Sequence, residues 1–251
     1  MKTNIKPLLA IMVCVLMVYS ACRKVDNAPV SSQTTNTDVL GGQIAVNLAQ
    51  SLAGNFGGVN VMGGVDSASL AGQHHAAAIY PLCGLFTDSL VNYNWNLGDT
   101  VKAHTGGNLT FFFNCNNGKP NGYTAYDSLA TTKTTRYGSS ECYVKQYYTI
   151  KCLDDNHLFV GVDGDIYFYS LITDLCGCQS ITNANYVLSG LKVDLTTKDI
   201  LSGTATFKAY GKGWFLTGTI VFLGNHMADV TINGKTFRIN VITGECNCGI
   251  R

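Results

Sequence analysis

Charged residues are scarce in this chain, and neither sign dominates. They make up 13% of the sequence, with 17 Lys and Arg against 16 Asp and Glu, and the formal net charge is +1. No basic run or stripe is visible. Nucleic-acid binding rests on neutralising phosphates with Lys and Arg, so we expect no nucleic-acid partner.

The familiar catalytic and cofactor motifs are also absent from the sequence. It has no Gly-x-Ser-x-Gly, no His-Glu-x-x-His, no P-loop and no Gly-x-Gly-x-x-Gly in a βαβ context. His74-His75 lacks a carboxylate or further His at ligand spacing, and Asp163-Gly164-Asp165 offers too few oxygen ligands for calcium. We therefore assign no catalytic residue, no metal site and no cofactor. A glycosidase needs only two suitably placed carboxylates, so a hydrolase stays open as an alternative.

An apolar run at the N-terminus is too short for a membrane span, which needs roughly 20 residues. Lys2 and Lys6 precede the run, which extends from Leu8 to Val18, and small residues follow it. Charge, apolar run and small residues in this order are typical of a secretory signal. On this order alone, the segment is an ordinary cleaved signal or an uncleaved anchor helix, and both stay open as alternatives to the interpretation of its last residues.

The end of this segment, Tyr19-Ser20-Ala21-Cys22, resembles the lipobox of bacterial lipoproteins, with Tyr in place of the usual Leu. The resemblance implies that residues 1–21 are a signal peptide and that Cys22 carries acyl chains, which anchor the protein to a membrane. Residues 22–38 are polar and predict a flexible tether. Arg23-Lys24 does not resemble the Asp of an inner-membrane retention signal, so we expect the outer membrane, with its periplasmic or surface face left open.

Ten cysteines are present, of which Cys14 lies in the signal and Cys22 is the lipid site. An even number then remains, and in an exported chain this favours disulfides. The disulfide candidates are Cys83, Cys115, Cys142, Cys152, Cys176, Cys178, Cys246 and Cys248. Cys142 and Cys152 should not pair with each other if they share one extended strand.

Residues 39–251 predict a single, mainly β domain. Leu40, Ile44, Leu48 and Leu52 recur every four residues and predict a helix over about 43–53, and a second short helix is considered at Ser67 to Ala78. Beyond Cys83, aromatic and β-branched segments predict strands, with a turn cluster at Asn116 to Gly122. These segments are LVNYNWN, NLTFFFNC, ECYVKQYYTIK, HLFVGV and DIYFYSLI.

Alternation becomes clear towards the C-terminus. Ala205, Phe207 and Ala209 oppose Thr204, Thr206 and Lys208, and the same period places Val187, Leu191, Val193 and Leu195 on one face. The expected fold is an antiparallel β-sandwich or a curved meander, with one or two short N-terminal helices and disulfide staples.

Two segments seventy positions apart align without a gap, from Val162 to Cys178 and from Ile232 to Cys248. Each begins with a hairpin signal, Asp163-Gly164 or Asn233-Gly234, and ends in Cys-x-Cys. We predict duplicated hairpin units at 156–178 and 226–248.

Three roles compete for the Cys-x-Cys pairs. Four thiolates suit a zinc site, but the spacing is tighter than usual and the compartment is oxidising. Redox catalysis usually places Cys-x-x-Cys at a helix start, whereas these pairs follow a strand. We therefore favour a structural role in which each pair pins the end of a hairpin by disulfides.

The signal, the tether and the cysteine-rich β domain together resemble uncharacterised lipoproteins of the kind common in Bacteroidota. This resemblance implies export and lipid anchoring and assigns no activity. We expect a non-enzymatic envelope protein, either structural or binding an unknown protein or glycan partner. The alternatives are a carrier of a lipid or apolar ligand and a glycan-acting extracytoplasmic hydrolase. Tyr and Trp residues on strands suit core packing, or sugar stacking where they are exposed.

Overall fold

A computed structural model describes residues 37–63, 83–84, 86–97 and 100–245. Helix α1 (Thr37–Leu52) and a 3-10 helix (Val61–Gly63) precede ten strands. The strands are β1 (Phe86–Leu97), β2 (Val101–Asn116), β3 (Lys119–Thr135), β4 (Gly138–Cys152), β5 (Phe159–Asp174), β6 (Gln179–Asp194), β7 (Asp199–Gly211), β8 (Trp214–Gly224), β9 (Met227–Ile232) and β10 (Lys235–Asn240). The predicted signal peptide, Cys22 and most of the tether lie outside the described residues, as does the second helix considered at 67–78.

The ten strands form one antiparallel sheet whose strand order is the chain order. Each strand pairs with the next in the chain, and a tight turn joins β9 to β10 at Asn233-Gly234, where both residues have positive φ angles of 51° and 77°. Two such residues between antiparallel strands are the type I′ turn that Asn-Gly favours. The prediction of a mainly antiparallel β fold is confirmed, and of its two forms the sheet is the meander.

One face of the sheet, here called the inner face, packs against α1. Of the predicted stripe, Ile44, Leu48 and Leu52 are buried, with exposed fractions of 1% or less, and Leu40 is partly buried. Burying a Leu or Ile side chain contributes roughly 1.5–3 kcal/mol, so this stripe fixes which side of the helix faces the sheet. The helix itself is confirmed, although it begins at Thr37, before the predicted start.

The sheet curves around α1. Gly41 lies against the ring of Phe237 on β10, and the carbonyl oxygen of Ser51 accepts a hydrogen bond from Gln146 on β4 at 3.2 Å. These two helical residues are about 15 Å apart along the axis. In a flat sheet β4 and β10 would be about 29 Å apart, so only a curved sheet brings both to one short helix.

The first predicted hairpin turn is wrong. Asp163 and Gly164 lie inside β5, which runs without a turn from Phe159 to Asp174, and they form a bulge in its pairing with β6. The side chain of Asp163 accepts a hydrogen bond from the backbone N–H of Gly190 at 2.7 Å, on the neighbouring bulge of β6. The two aligned segments therefore differ in structure, since only the second contains a turn.

The bulge in β6 also corrects the predicted face of Val187. Val187 is 53% exposed, whereas Leu191 and Val193 are fully buried. The extra residues at Ser189 and Gly190 shift the alternation by one, and such a slip moves every following side chain to the other face. The alternation predicted for β7 is confirmed, because Ala205, Phe207 and Ala209 are buried.

Strand β3 was not predicted, and the turn cluster at 116–122 contains its first residues. The turn is confined to Asn117 and Gly118, after which β3 begins at Lys119 with Pro120 near its start. A proline is tolerated at the beginning of a strand, where a missing N–H costs little.

Candidate functional site

The outer face of the sheet carries most of the exposed aromatic side chains of its central strands. Tyr126 is 38% exposed, Tyr147 49% and Tyr210 43%. Other tyrosines of these strands, such as Tyr148, occupy the alternate positions and are buried on the inner face. The prediction of core packing therefore holds for one set of tyrosines, while the other set faces solvent.

Two depressions on the outer face join into one feature, here called the outer channel. The first has a volume of about 190 Å³ and includes Tyr126, Lys145, Tyr147, Asp165 and Tyr167 in its lining. The second has a volume of about 630 Å³ and includes Thr206, Lys208, Thr217 and Thr219. Asn185 and Val187 line both depressions, so the channel crosses the strands from β3 to β8.

Strand register places the channel side chains in rows. Lys145 lies opposite Tyr167, Tyr167 opposite Asn185, and Asn185 opposite Lys208. Side chains opposite one another on neighbouring strands have Cβ atoms about 4.5–5.5 Å apart. The row therefore puts an ammonium group, a phenol, an amide and a second ammonium group side by side.

A tyrosine cluster lies beside the channel and holds Tyr167 in place. The Tyr167 hydroxyl donates to Asn183 Oδ1 at 3.2 Å, and its ring meets the ring of Tyr143 edge-on with centroids 6.0 Å apart. Partial burial raises the pKa of Tyr167, and the nearby hydroxyls of Tyr210, Tyr143 and Tyr169 raise it further. Tyr167 is therefore a neutral, positioned phenol.

A separate groove of about 480 Å³ lies where the end of α1 meets the sheet edge. Its lining includes Ala53, Met62, Asp199, Ile200 and His226. Asp199 Oδ1 accepts a hydrogen bond from the backbone N–H of His226 at 3.0 Å. The same oxygen lies 3.2 Å from the side-chain Nδ1 of His226.

This His–carboxylate pair is the feature that a hydrolase would need. However, Asn225 and His226 both have positive φ angles and form the β8–β9 turn, which Asp199 caps. Among the described residues that line the groove there is no second carboxylate and no Ser, Thr or Cys. The turn therefore accounts for the pair without a reaction.

A buried polar cluster attaches the segment after α1 to the inner face. The backbone N–H of Val59 donates to Asp127 Oδ2 at 2.8 Å and to Gln146 Oε1 at 2.9 Å. Desolvation by burial raises the pKa of Asp127 to about 7, against which the hydrogen bond from Val59 acts. Burial also raises the pKa of Tyr123 and of Tyr148. None of these groups was singled out from the sequence, because only the register of β3 and β4 brings them together.

The cysteines divide into different environments. Cys83 and Cys115 form a disulfide, with Cα atoms 5.3 Å apart, and this confirms two of the candidates. Cys142 and Cys152 share β4, as expected, and burial raises the pKa of the Cys142 thiol to about 12. A thiol with so high a pKa is a poor nucleophile and metal ligand at neutral pH.

Cys176 and Cys178 lie exposed at the tip of the β5–β6 hairpin as thiols outside any disulfide. Both of their backbone N–H groups donate to Asp174 Oδ1, at 2.9 and 2.8 Å. Glu245 follows β10 at the opposite end of the sheet, where its carbonyl accepts from Asn240. Cys246 and Cys248 lie outside the described residues, so the partners of these four candidates stay a prediction.

The other sequence candidates are accounted for by local structure or lie outside the description. His74-His75 belongs to the undescribed residues. His104 Nδ1 lies 3.1 Å from Asn94 Oδ1, and the side chain of Asp154 accepts from the N–H groups of Leu158 and Phe159 in a turn. Within the described ranges no group of three or more His, Cys, Asp or Glu side chains is placed to hold a metal ion. The helices of that part of the chain are also too short or too polar to cross a membrane.

Comparison of the chain with protein-family models, curated proteins and solved structures gives no match.

Proposed function

We propose that this protein is a lipid-anchored, non-enzymatic protein of the bacterial cell envelope that binds a glycan in the outer channel. The observation that carries the proposal is the lining of the channel. Tyrosine rings line the first of its two adjoining depressions, and Asn, Thr and Lys side chains line the second, so that the channel spans six strands. A sugar chain offers matching chemistry, because its C–H faces stack on aromatic rings while its hydroxyls donate and accept hydrogen bonds.

The channel suits a glycan better than a protein partner. The buried core of a protein–protein interface is depleted of Lys and Asp, whereas Lys145, Asp165 and Lys208 all line the channel. Val187 is the exposed aliphatic side chain shared by both depressions, and Thr and Asn side chains surround it. A channel with tyrosine rings at one end and Thr, Asn and Lys side chains along the rest favours a slender, hydroxylated ligand.

The inner face gives less support to the alternative function, that of a lipid carrier. A carrier requires an apolar cavity against α1, and Ile44, Leu48 and Leu52 of the α1 stripe are instead packed against the sheet with exposed fractions of 1% or less. The groove beside the end of α1 is the space that this alternative would have to use.

The binding test uses the purified protein and a panel of soluble polysaccharides, with retardation in affinity gels as the measurement. Tyr126→Ala and Tyr147→Ala should each weaken binding about two- to tenfold, since one aromatic contact contributes about 0.5–1.5 kcal/mol beyond its buried area. Tyr137→Ala is the matched control, because Tyr137 is 37% exposed but lies at the β3–β4 turn, against Arg136. Retardation that is the same in all three variants and the unmodified protein would contradict the proposal.

The lipid anchor rests on the sequence of the signal and on Cys22. Cells that express the protein and are fed an alkyne analogue of palmitate should label the unmodified chain. Cys22→Ser should abolish the label and leave an unprocessed chain, because the thiol is the expected acylation site. A Cys22→Ser chain that is still labelled and still sediments with outer membranes would rule out this anchor.

A further inference from the structure

We propose that the outer channel selects an acidic glycan, one whose sugar units carry carboxylate groups. This inference rests on the proposed glycan-binding function and adds the class of ligand. It is carried by the placement of two lysines in one row of the channel.

Lys145 and Lys208 stand at the two ends of a single cross-strand row, with Tyr167 and Asn185 between them. Each lysine lines one of the two depressions. Three strand spacings separate them, or about 14 Å. A chain that follows the channel over Tyr167 and Asn185 therefore meets a positive charge on each side.

Both ammonium groups are available to a ligand. Neither Lys145 nor Lys208 forms a salt bridge with a described residue, and Lys145 Nζ lies over the ring of Tyr126, 5.6 Å from its centroid. Elsewhere in the sheet Arg238 is paired with Asp229, at 2.7 Å from Nε to Oδ1. Arg238 thus has a carboxylate partner, whereas Lys145 and Lys208 have none among the described residues.

The described lining of the two depressions contains two lysines and one carboxylate, that of Asp165. A neutral glycan would be satisfied by the amide and hydroxyl groups and would leave both ammonium groups to water. A carboxylate near each end would instead form charge-assisted hydrogen bonds, which are about twice as strong as neutral ones. Each exposed pair contributes little alone, but pairs along one polymer act together.

The test compares polygalacturonate with its methyl-esterified form, which has the same backbone without the charge. Binding is measured by calorimetry at low and at moderate salt, for the unmodified protein and for Lys145→Gln, Lys208→Gln and the double variant. Lys102→Gln is the matched control, because Lys102 is an exposed lysine of β2 on the outer face of the sheet but does not line the channel. Circular dichroism confirms that each variant is folded.

The unmodified protein should bind the acidic form about tenfold more tightly, with added salt reducing the difference, as expected for two exposed ion pairs. Each channel lysine variant should lose a few-fold of this preference and the double variant nearly all of it, whereas Lys102→Gln keeps it. Equal affinity for the two polymers, or an equal loss in Lys102→Gln, would overturn the inference. If the two polymers bind equally and Tyr147→Ala weakens binding of the esterified form, the inference fails but the proposed function stands. If neither polymer nor any other glycan binds, the proposed function fails first.

Discussion

At the scale of single residues, the best-defined electrostatic feature is the carboxyl group of Asp127. It is fully buried on β3, and one of its oxygens accepts a hydrogen bond from Val59. Burial disfavours the charged form, and the backbone hydrogen bonds from Val59 and Gln146 do not offset that cost, so the pKa is raised from 3.8 to about 7. Although the carboxylate is the better acceptor for the N–H of Val59, the protonated group costs less to bury, and this second effect is the larger one.

The stability of the protein should therefore depend on pH through Asp127. Its folded-state pKa lies above its unfolded-state pKa, so its contribution is complete below about pH 4 and is lost as the pH rises to about 7. A difference of about three pKa units corresponds to at most about 4 kcal/mol. Asp127→Asn should remove this slope from the free energy of unfolding, measured by urea titration at pH 4, 5.5 and 7.

Asp165→Asn provides the control for this measurement, because Asp165 lies on the exposed outer face of β5. Its slope between pH 4 and 7 should match that of the unmodified protein. An unchanged slope in Asp127→Asn would show that the charge on Asp127 does not set the pH dependence.

At the scale of secondary-structure elements, the bulge between β5 and β6 decides which side chains of β6 face the channel. Gly164 has a φ of 150°, and a Cβ at this position would meet the carbonyl oxygen of Tyr147 on β4. The glycine lets β4 and β5 approach closely beside the place where the side-chain alternation of β6 shifts. Strand β5 keeps its own alternation through this point, so Asp165 and Tyr167 share the outer face, and the extra residue in β6 puts Val187 on that face with them.

Gly164→Ala should therefore destabilise the protein by at least about 2 kcal/mol, since the backbone must move to admit the methyl group. Gly177→Ala is the matched control, because Gly177 has a φ of 76° but no atom within 4 Å of the added Cβ. It should cost only about 1 kcal/mol, the cost of the left-handed backbone alone. Thermal unfolding followed by circular dichroism measures both, and equal losses would show that the close approach is unimportant.

At the scale of the whole molecule, the strands differ in how many of their side chains are buried, from the β1 edge of the sheet to its centre. Among the side chains of β1 that the structure describes, Leu90 is 80% exposed and Phe86 62%, Tyr93 is partly buried and Val91 is buried. The central strands bury alternate side chains along most of their length. An edge strand with few buried apolar groups opens locally at low free energy.

Hydrogen exchange followed by mass spectrometry should show this gradient. Peptides from β1 should exchange before those of every other long strand, and peptides from β4 to β7 should exchange last. Reduction of the Cys83–Cys115 disulfide should accelerate exchange in β1 more than in β6, because Cys83 lies just before β1 and Cys115 lies in β2. Uniform exchange across all strands would contradict an unevenly secured sheet.

The sequence by itself determined the local features of this protein. The four-residue spacing of Ile44, Leu48 and Leu52 specified the buried side of α1, and Asn233-Gly234 specified a turn, because helix periodicity and turn chemistry act over a few residues. The alternation of β7 likewise identified its inner face.

Only the tertiary structure decided which residues meet. The Asp163-Gly164 pair, a turn signal by its sequence, became a bulge because β4 and β6 pair with β5 on both sides of it. The register of four strands aligned Lys145, Tyr167, Asn185 and Lys208, and curvature around α1 buried Asp127. Register and curvature depend on contacts between residues far apart in the chain, and no short stretch of sequence contains that information.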